Sequence, residues 1–186
     1  MSASGRFGDY TLRPPLVGFQ GIAAYATEAG LVALAVVLPA LAHALGVPGH
    51  VVLPMHWTVI LAGAVLGWKA GLLAGIASPA LNTLFTGLPP VFILPLMTVE
   101  VGLYGFAAGY ARERMRWNSF AAVACALVLG RVGFVVMALA LGRAGGPVTE
   151  FVAASFAPGV VAAVLQLISI PIIAAPIARG LARESK

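Results

Sequence analysis

The chain has 186 residues, of which 61% are hydrophobic and only 9% charged, with a formal net charge of +5. A soluble domain carries about 25% charged residues, so this composition excludes a water-soluble globular protein and supplies enough apolar sequence to cross a bilayer several times. The basic surplus forms no face interleaved with aromatics, which excludes nucleic acid as a partner.

Residues 1–19 make a polar N-terminal segment containing Arg6, Asp9 and Arg13. No apolar core follows a basic start directly, so the segment does not read as a cleaved signal peptide. Six apolar runs follow, at residues 20–45, 51–67, 70–85, 91–111, 119–141 and 151–178, and a short tail covers 179–186. Runs of this kind suit about 30 Å of hydrocarbon at about 1.5 Å per residue. The expected fold is therefore all-α, a polytopic membrane protein whose single domain is a bundle of six transmembrane helices. The second and third runs are short. Only Trp68 and Lys69 separate them, which predicts a tight helical hairpin.

The cations give a direction. Arg6, Arg13, Lys69, Arg112, Arg114, Arg116, Arg179, Arg183 and Lys186 fall on one side of the expected membrane; Arg143 falls on the other, and Arg131 lies inside a span. Cationic loops stay in the cytoplasm, so both termini are expected there, in a multi-pass protein of the cell membrane. The lone Cys125 permits no intramolecular disulfide.

Small residues recur at four-residue spacing: Ala26 with Gly30, Ala29 with Ala33, Gly63 with Gly67, Gly71 with Gly75, and Gly105 with Gly109. Such spacing lets helix backbones approach closely in lipid. Most of these pairs are expected to serve internal packing. The first span, with small residues on more than one face, is the best candidate for a partner-docking surface.

Polar residues inside spans carry the functional reading. Glu100 lies about 16 Å from the cationic boundary of the fourth span, and Arg131 about 18 Å from that of the fifth. An ionised side chain at that depth costs about 2.5–3.5 kcal/mol or more unless paired or wetted. The two are therefore expected to pair or to line one polar cavity. Glu28 lies nearer the cytoplasmic end of the first span. Toward the outer end, His43, His50 and His56 come together with Ser78-Pro79, Asn82-Thr83 and the turn Gly87-Leu88-Pro89-Pro90. A Ser-Pro step frees backbone groups that a cavity or a neighbour must satisfy. These elements predict a solute pocket open to the outside under the first outer loop. Trp57, Trp68 and Trp117 sit near span ends as interfacial anchors.

Catalytic signatures are missing from the sequence. There is no phosphate-binding glycine loop, no His-Glu-x-x-His and no Gly-x-Ser-x-Gly. The histidine spacings do not fit a zinc site. No catalytic residue, metal or cofactor is expected.

One family shares many of these features. Leu38-Pro39, His43, Leu53-Pro54-Met55-His56, Leu61-Ala62-Gly63, Gly67-Trp68-Lys69, Gly71, Gly75, Ser78-Pro79, Thr86-Gly87-Leu88-Pro89-Pro90, Glu100, Tyr104-Gly105 and Gly130-Arg131 resemble the substrate-binding S components of energy-coupling factor (ECF) transporters, over about residues 22–141. The resemblance implies a six-helix membrane protein with both termini inside that captures a vitamin or related micronutrient from outside. It implies partners as well: a transmembrane T component driven by two ATPase subunits. Docking would use the Ala-x-x-x-Ala spacing of Ala29 and Ala33, with Ala26 and Gly30 one face over; Glu28 departs from an all-apolar surface. By position, the pocket would use His43, His56, Asn82, Glu100 and Arg131. Two other readings stay open: a non-transporting membrane scaffold of similar topology, and a small membrane enzyme using Glu100 and His56 as acid and base. The different depths of that last pair argue against joint catalysis.

Overall fold

The computed structural model describes residues 14, 16–47, 53–143 and 145–184. The expectations for Arg6, Arg13, His50 and Lys186, and for most of the first outer loop, lie outside the described residues. The described chain is helical: α1 (Ile22–Ala44), α2 (Pro54–Leu66), α3 (Trp68–Thr86), α4 (Leu94–Glu113), α5 (Ser119–Ala140), α6 (Val148–Phe156), a single 3-10 turn at Ala157–Gly159, and α7 (Val160–Glu184).

Among the described residues three helices are long and apolar enough to cross a membrane: α1, α5 and α7 as far as Arg183. The 13-residue α2 is apolar but measures only about 20 Å. It is buried on every side from Met55 to Leu66, apart from a half-buried Trp57. A helix that is apolar all round belongs inside a bundle, and α2 packs against α1, α3, α4 and α7. The helices α3 and α4, with 19 and 20 residues, pack against each other more extensively than any other pair.

The α2–α3 hairpin is tighter than the sequence predicts. Trp68 and Lys69 already belong to α3, and Gly67 alone makes the reversal. Its φ of 98° lies in the region that glycine adopts without steric cost. The first amide of α3 would otherwise be an orphan donor. Glu113 at the end of α4 supplies the acceptor: Trp68 N–H donates to its Oε2 at 3.2 Å.

The last predicted span also differs. The stretch 151–178 is not one helix, because Pro158 lacks an amide proton and Gly159 follows it, and the chain breaks there into α6 and α7. No residue of α6 is buried, so it is peripheral to the bundle. At the other end α7 runs on to Glu184, so Arg179 and Arg183 lie on the helix and not in a free tail.

The described cations segregate. Arg112 ties one end of the bundle together: its guanidinium donates to the carbonyls of Pro14 and, at 3.0 Å, Trp117. At the same end Val17 N–H donates to Val65 O, and Lys69 lies in the first turn of α3. The C-terminal end of α7, with Arg179 and Arg183, lies there too, since the opposite end of α7 meets Leu53 at the start of α2. Arg143 sits at that opposite end and donates to the carbonyl of Phe92.

Candidate functional site

At the end opposite the cationic one, α1, α2, α3, the turn after α3 and α4 enclose a cavity of about 290 Å³. Its walls are largely apolar: Pro39, Leu53, Pro54, Met55, Leu88, Pro89 and Met97. Its polar groups come from His43, His56, Asn82 and Thr86. A pocket that is mainly apolar with a few convergent polar groups is the usual form of a small-molecule site.

The geometry follows from Pro39. A proline inside a helix removes the amide that would bond the carbonyl four residues earlier, here that of Ala35. Asn82 Nδ2 donates to Ala35 O at 2.8 Å and to Ser78 O at 3.3 Å. The Asn82 amide nitrogen is thus committed to backbone acceptors on α1 and α3, which leaves Oδ1 as its free acceptor. Thr86 is committed in the same way, donating to Asn82 O and accepting from Leu88 N–H. The pocket is therefore built around a fixed amide carbonyl.

Leu53 caps the start of α2 in a left-handed conformation, φ 47° and ψ 53°. For a branched residue this costs on the order of 1–2 kcal/mol, and such strain concentrates at binding sites. Three residues on, His56 is 2% exposed. Neither ring nitrogen has a hydrogen-bond partner among the described residues. The ring meets Tyr104 edge-on, 4.8 Å between centroids.

Behind that ring lies the ionic pair. Arg131 Nη1 is 3.0 Å from Glu100 Oε1, and Tyr104 O–H donates to the same oxygen at 3.0 Å. Tyr104 is seated against Gly130, where any side chain would strike its ring. The guanidinium also lies over the Phe134 ring, 5.7 Å from its centroid. Matched depth on antiparallel helices thus brings Glu100 and Arg131 together as a pair, but it does not bring them to the larger cavity. Arg131 borders a separate cavity of about 150 Å³ with Leu53, Tyr104, Gly159 and Gln166. Glu100 lines neither. The structure brings together His43, His56 and Asn82, with Arg131 and Glu100 one layer behind.

The sequence reading gave no role to four participants: Pro39, Thr86 and Tyr104, which it quoted only within motifs, and Gln166. Pro39 carried a usable signal, since a mid-helix proline requires a donor for Ala35 O. Tyr104 stands one helical turn after Glu100, which is hydrogen-bond reach. Gln166 is buried with Nε2 unpartnered among the described residues, and nothing in its local sequence marks it.

The four small residues of α1 face outward. Ala26, Ala29, Gly30 and Ala33 are all exposed, and a side chain at Gly30 would meet nothing within 4 Å. Ala29 and Ala33 border a groove of about 660 Å³ between α1 and α3; Ala26 and Gly30 lie outside its lining.

Comparison with known families gives a match. The family model described as the ECF transporter substrate-specific component matches residues 26–181. That span takes in most of α1, all of α2 to α6 and most of α7, and with them every residue of the cavity, the ion pair and the small-residue stripe. Neither the curated proteins nor the solved structures contain a match. The matched family is one of transporter components and not of enzymes. This chain belongs to the substrate-specific components of ECF transporters.

Proposed function

We propose that this chain is the solute-capturing subunit of an ECF-type importer, with six spans, both termini in the cytoplasm and the 290 Å³ cavity opening outward. The observation that carries this reading is that cavity, formed by four helices at the end opposite Lys69, Arg112, Arg179 and Arg183. Cation-rich ends stay in the cytoplasm, so the mouth faces the outside. The even number of crossings counts α2, α3 and α4 as spans held within the bundle.

The lining constrains the cargo. Among the described residues no carboxylate, lysine or arginine borders the cavity, and the Glu100–Arg131 pair neutralises itself one layer away. Apolar walls, a fixed Asn82 carbonyl and two imidazoles favour an uncharged ring compound with at least one N–H or O–H donor. Vitamins and related micronutrients of this size fit that description. In this reading the pair is a positioning device: Glu100 and Arg131 hold Tyr104, and Tyr104 holds the His56 ring.

Bound solute shifts the protein toward the state that engages its partners. Those partners are a transmembrane T component and two ATPase subunits, and the docking surface is the exposed face of α1 at Ala26, Ala29, Gly30 and Ala33. The test begins with the solute that co-purifies in detergent, identified by mass spectrometry. Affinity for it is then measured in the His56→Ala and Asn82→Ala variants. A loss of about tenfold or more is expected for each. Wild-type affinity in both would place the site elsewhere.

A further inference from the structure

Glu28 is 5% exposed and borders the α1–α3 groove. Neither carboxyl oxygen has a hydrogen-bond partner among the described residues. The Ala74 amide on α3 lies beside the carboxyl, but it is a helix-interior N–H that serves its own helix. A carboxylate left unpaired in an apolar setting is costly, and in membrane spans such groups face a partner or a wetted path. The groove offers no wetted path. Its other lining residues are apolar apart from Tyr25, and Ala29 and Ala33 on α1 face Leu73 and Ala77 on α3 across it.

We propose that Glu28 is the anchor for a lysine or arginine on a membrane helix of the partner that docks in this groove. The proposal deepens the docking role assigned above to this face and rests on it. Charge decides the occupant. A lipid chain fills apolar space but gives a carboxylate nothing. A second copy meeting this one face to face would bring two Glu28 side chains together. A cationic helix supplies the missing donor, and Ala29 and Ala33 in the groove let its backbone come close. Glu28 lies about 9 Å into α1 from Ile22, so the partner cation must lie about 9 Å in from the cationic end.

The experiment compares Glu28→Met and Ala33→Leu in the full chain. Each is co-expressed with the T component and ATPases of its own host, and the fraction retained on tagged T component is read. Melting of the isolated chain in detergent is read alongside. Methionine matches glutamate in shape without its charge. The expected result for Glu28→Met is retention lowered about tenfold or more, together with a melting temperature raised by about 2–4 °C, because an unpaired carboxylate has been removed. Only a group that waits for a partner gives both. Ala33→Leu should block assembly by bulk alone. If Ala33→Leu disrupts assembly and Glu28→Met does not, the ionic anchor is wrong and the docking face stands. If neither variant changes retention, the docking face itself is wrong. A lowered melting temperature for Glu28→Met would mean that the chain already satisfies the carboxyl, and would overturn the proposal. A homodimer lost on Ala33→Leu would overturn it too.

Discussion

Gly63, Gly71, Gly75, Gly105 and Gly109 share the four-residue spacing of Ala26, Ala29, Gly30 and Ala33, yet the two sets meet opposite surroundings. A Cβ at Gly71 would strike the Gly105 carbonyl, and one at Gly75 would come within 2.6 Å of the Gly102 Cα and the Val101 carbonyl. The α2–α3–α4 seam is thus closed at backbone contact, and its glycines are occupied by the protein itself. The α1 stripe is exposed along its length, and a Cβ at Gly30 would meet nothing within 4 Å. Identical spacing therefore marks a core in one place and a free surface in the other. What separates them is whether a neighbouring helix of the same chain is already there.

The largest expected effect breaks the seam. Gly105→Val would push two branches into the Gly71 backbone. Overpacking of a closed core costs about 1–3 kcal/mol or more, and a backbone obstacle cannot rotate away. A large loss of monodisperse, folded protein on size-exclusion chromatography is expected. A well-behaved Gly105→Val protein would show that the seam is looser than described.

Next comes the ion pair on the far side of α4 from the seam. Arg131→Ala leaves Glu100 buried without its cation, and breaking one partner of such a pair costs about 3–5 kcal/mol. The double variant Glu100→Met with Arg131→Met should recover much of that loss in thermal melting. It should still weaken solute binding if Tyr104 needs Glu100 to hold the His56 ring.

Asn82→Leu is intermediate. It strands the Ala35 carbonyl that Pro39 left without a donor, a penalty of about 1–3 kcal/mol. Pro39→Ala restores a helical amide to that carbonyl, so the pair Pro39→Ala with Asn82→Leu should melt closer to wild type than Asn82→Leu alone. Additive losses would separate Asn82 from Pro39.

The smallest stability effect sharpens the contrast. Ala29→Leu adds bulk on the open stripe and should change stability by no more than about 0.5 kcal/mol, while the seam tolerates no such change. A strongly destabilised Ala29→Leu protein would mean that the α1 face is already covered.

The sequence carried depth well and azimuth badly. Counting residues from the span ends put Glu100 and Arg131 at one level, and they do meet at 3.0 Å. It could not say that their meeting point lies behind His56 and outside the larger cavity. In a soluble helix, alternation of polar and apolar residues reveals the inward face. Here nearly every position is apolar on both faces, so the contrast that fixes rotation is missing. The mid-helix Pro39 and the single-glycine turn at Gly67 were open to inspection, because backbone chemistry and not periodicity reveals them. The break at Pro158-Gly159 was equally open, and hydropathy alone ran across it. Gln166 and the outward turn of Ala29 depend on which helices become neighbours, and that is settled only by the assembled bundle.

The most direct test takes Asn82→Ala and Ala33→Leu through two assays in the same cells, solute binding by the isolated subunit and uptake by the assembled transporter. Asn82→Ala should lose both. Ala33→Leu should bind solute like wild type and lose uptake alone. If Asn82→Ala bound solute normally, or if Ala33→Leu lost binding along with uptake, the assignment of capture to the cavity and of coupling to the α1 face would be contradicted.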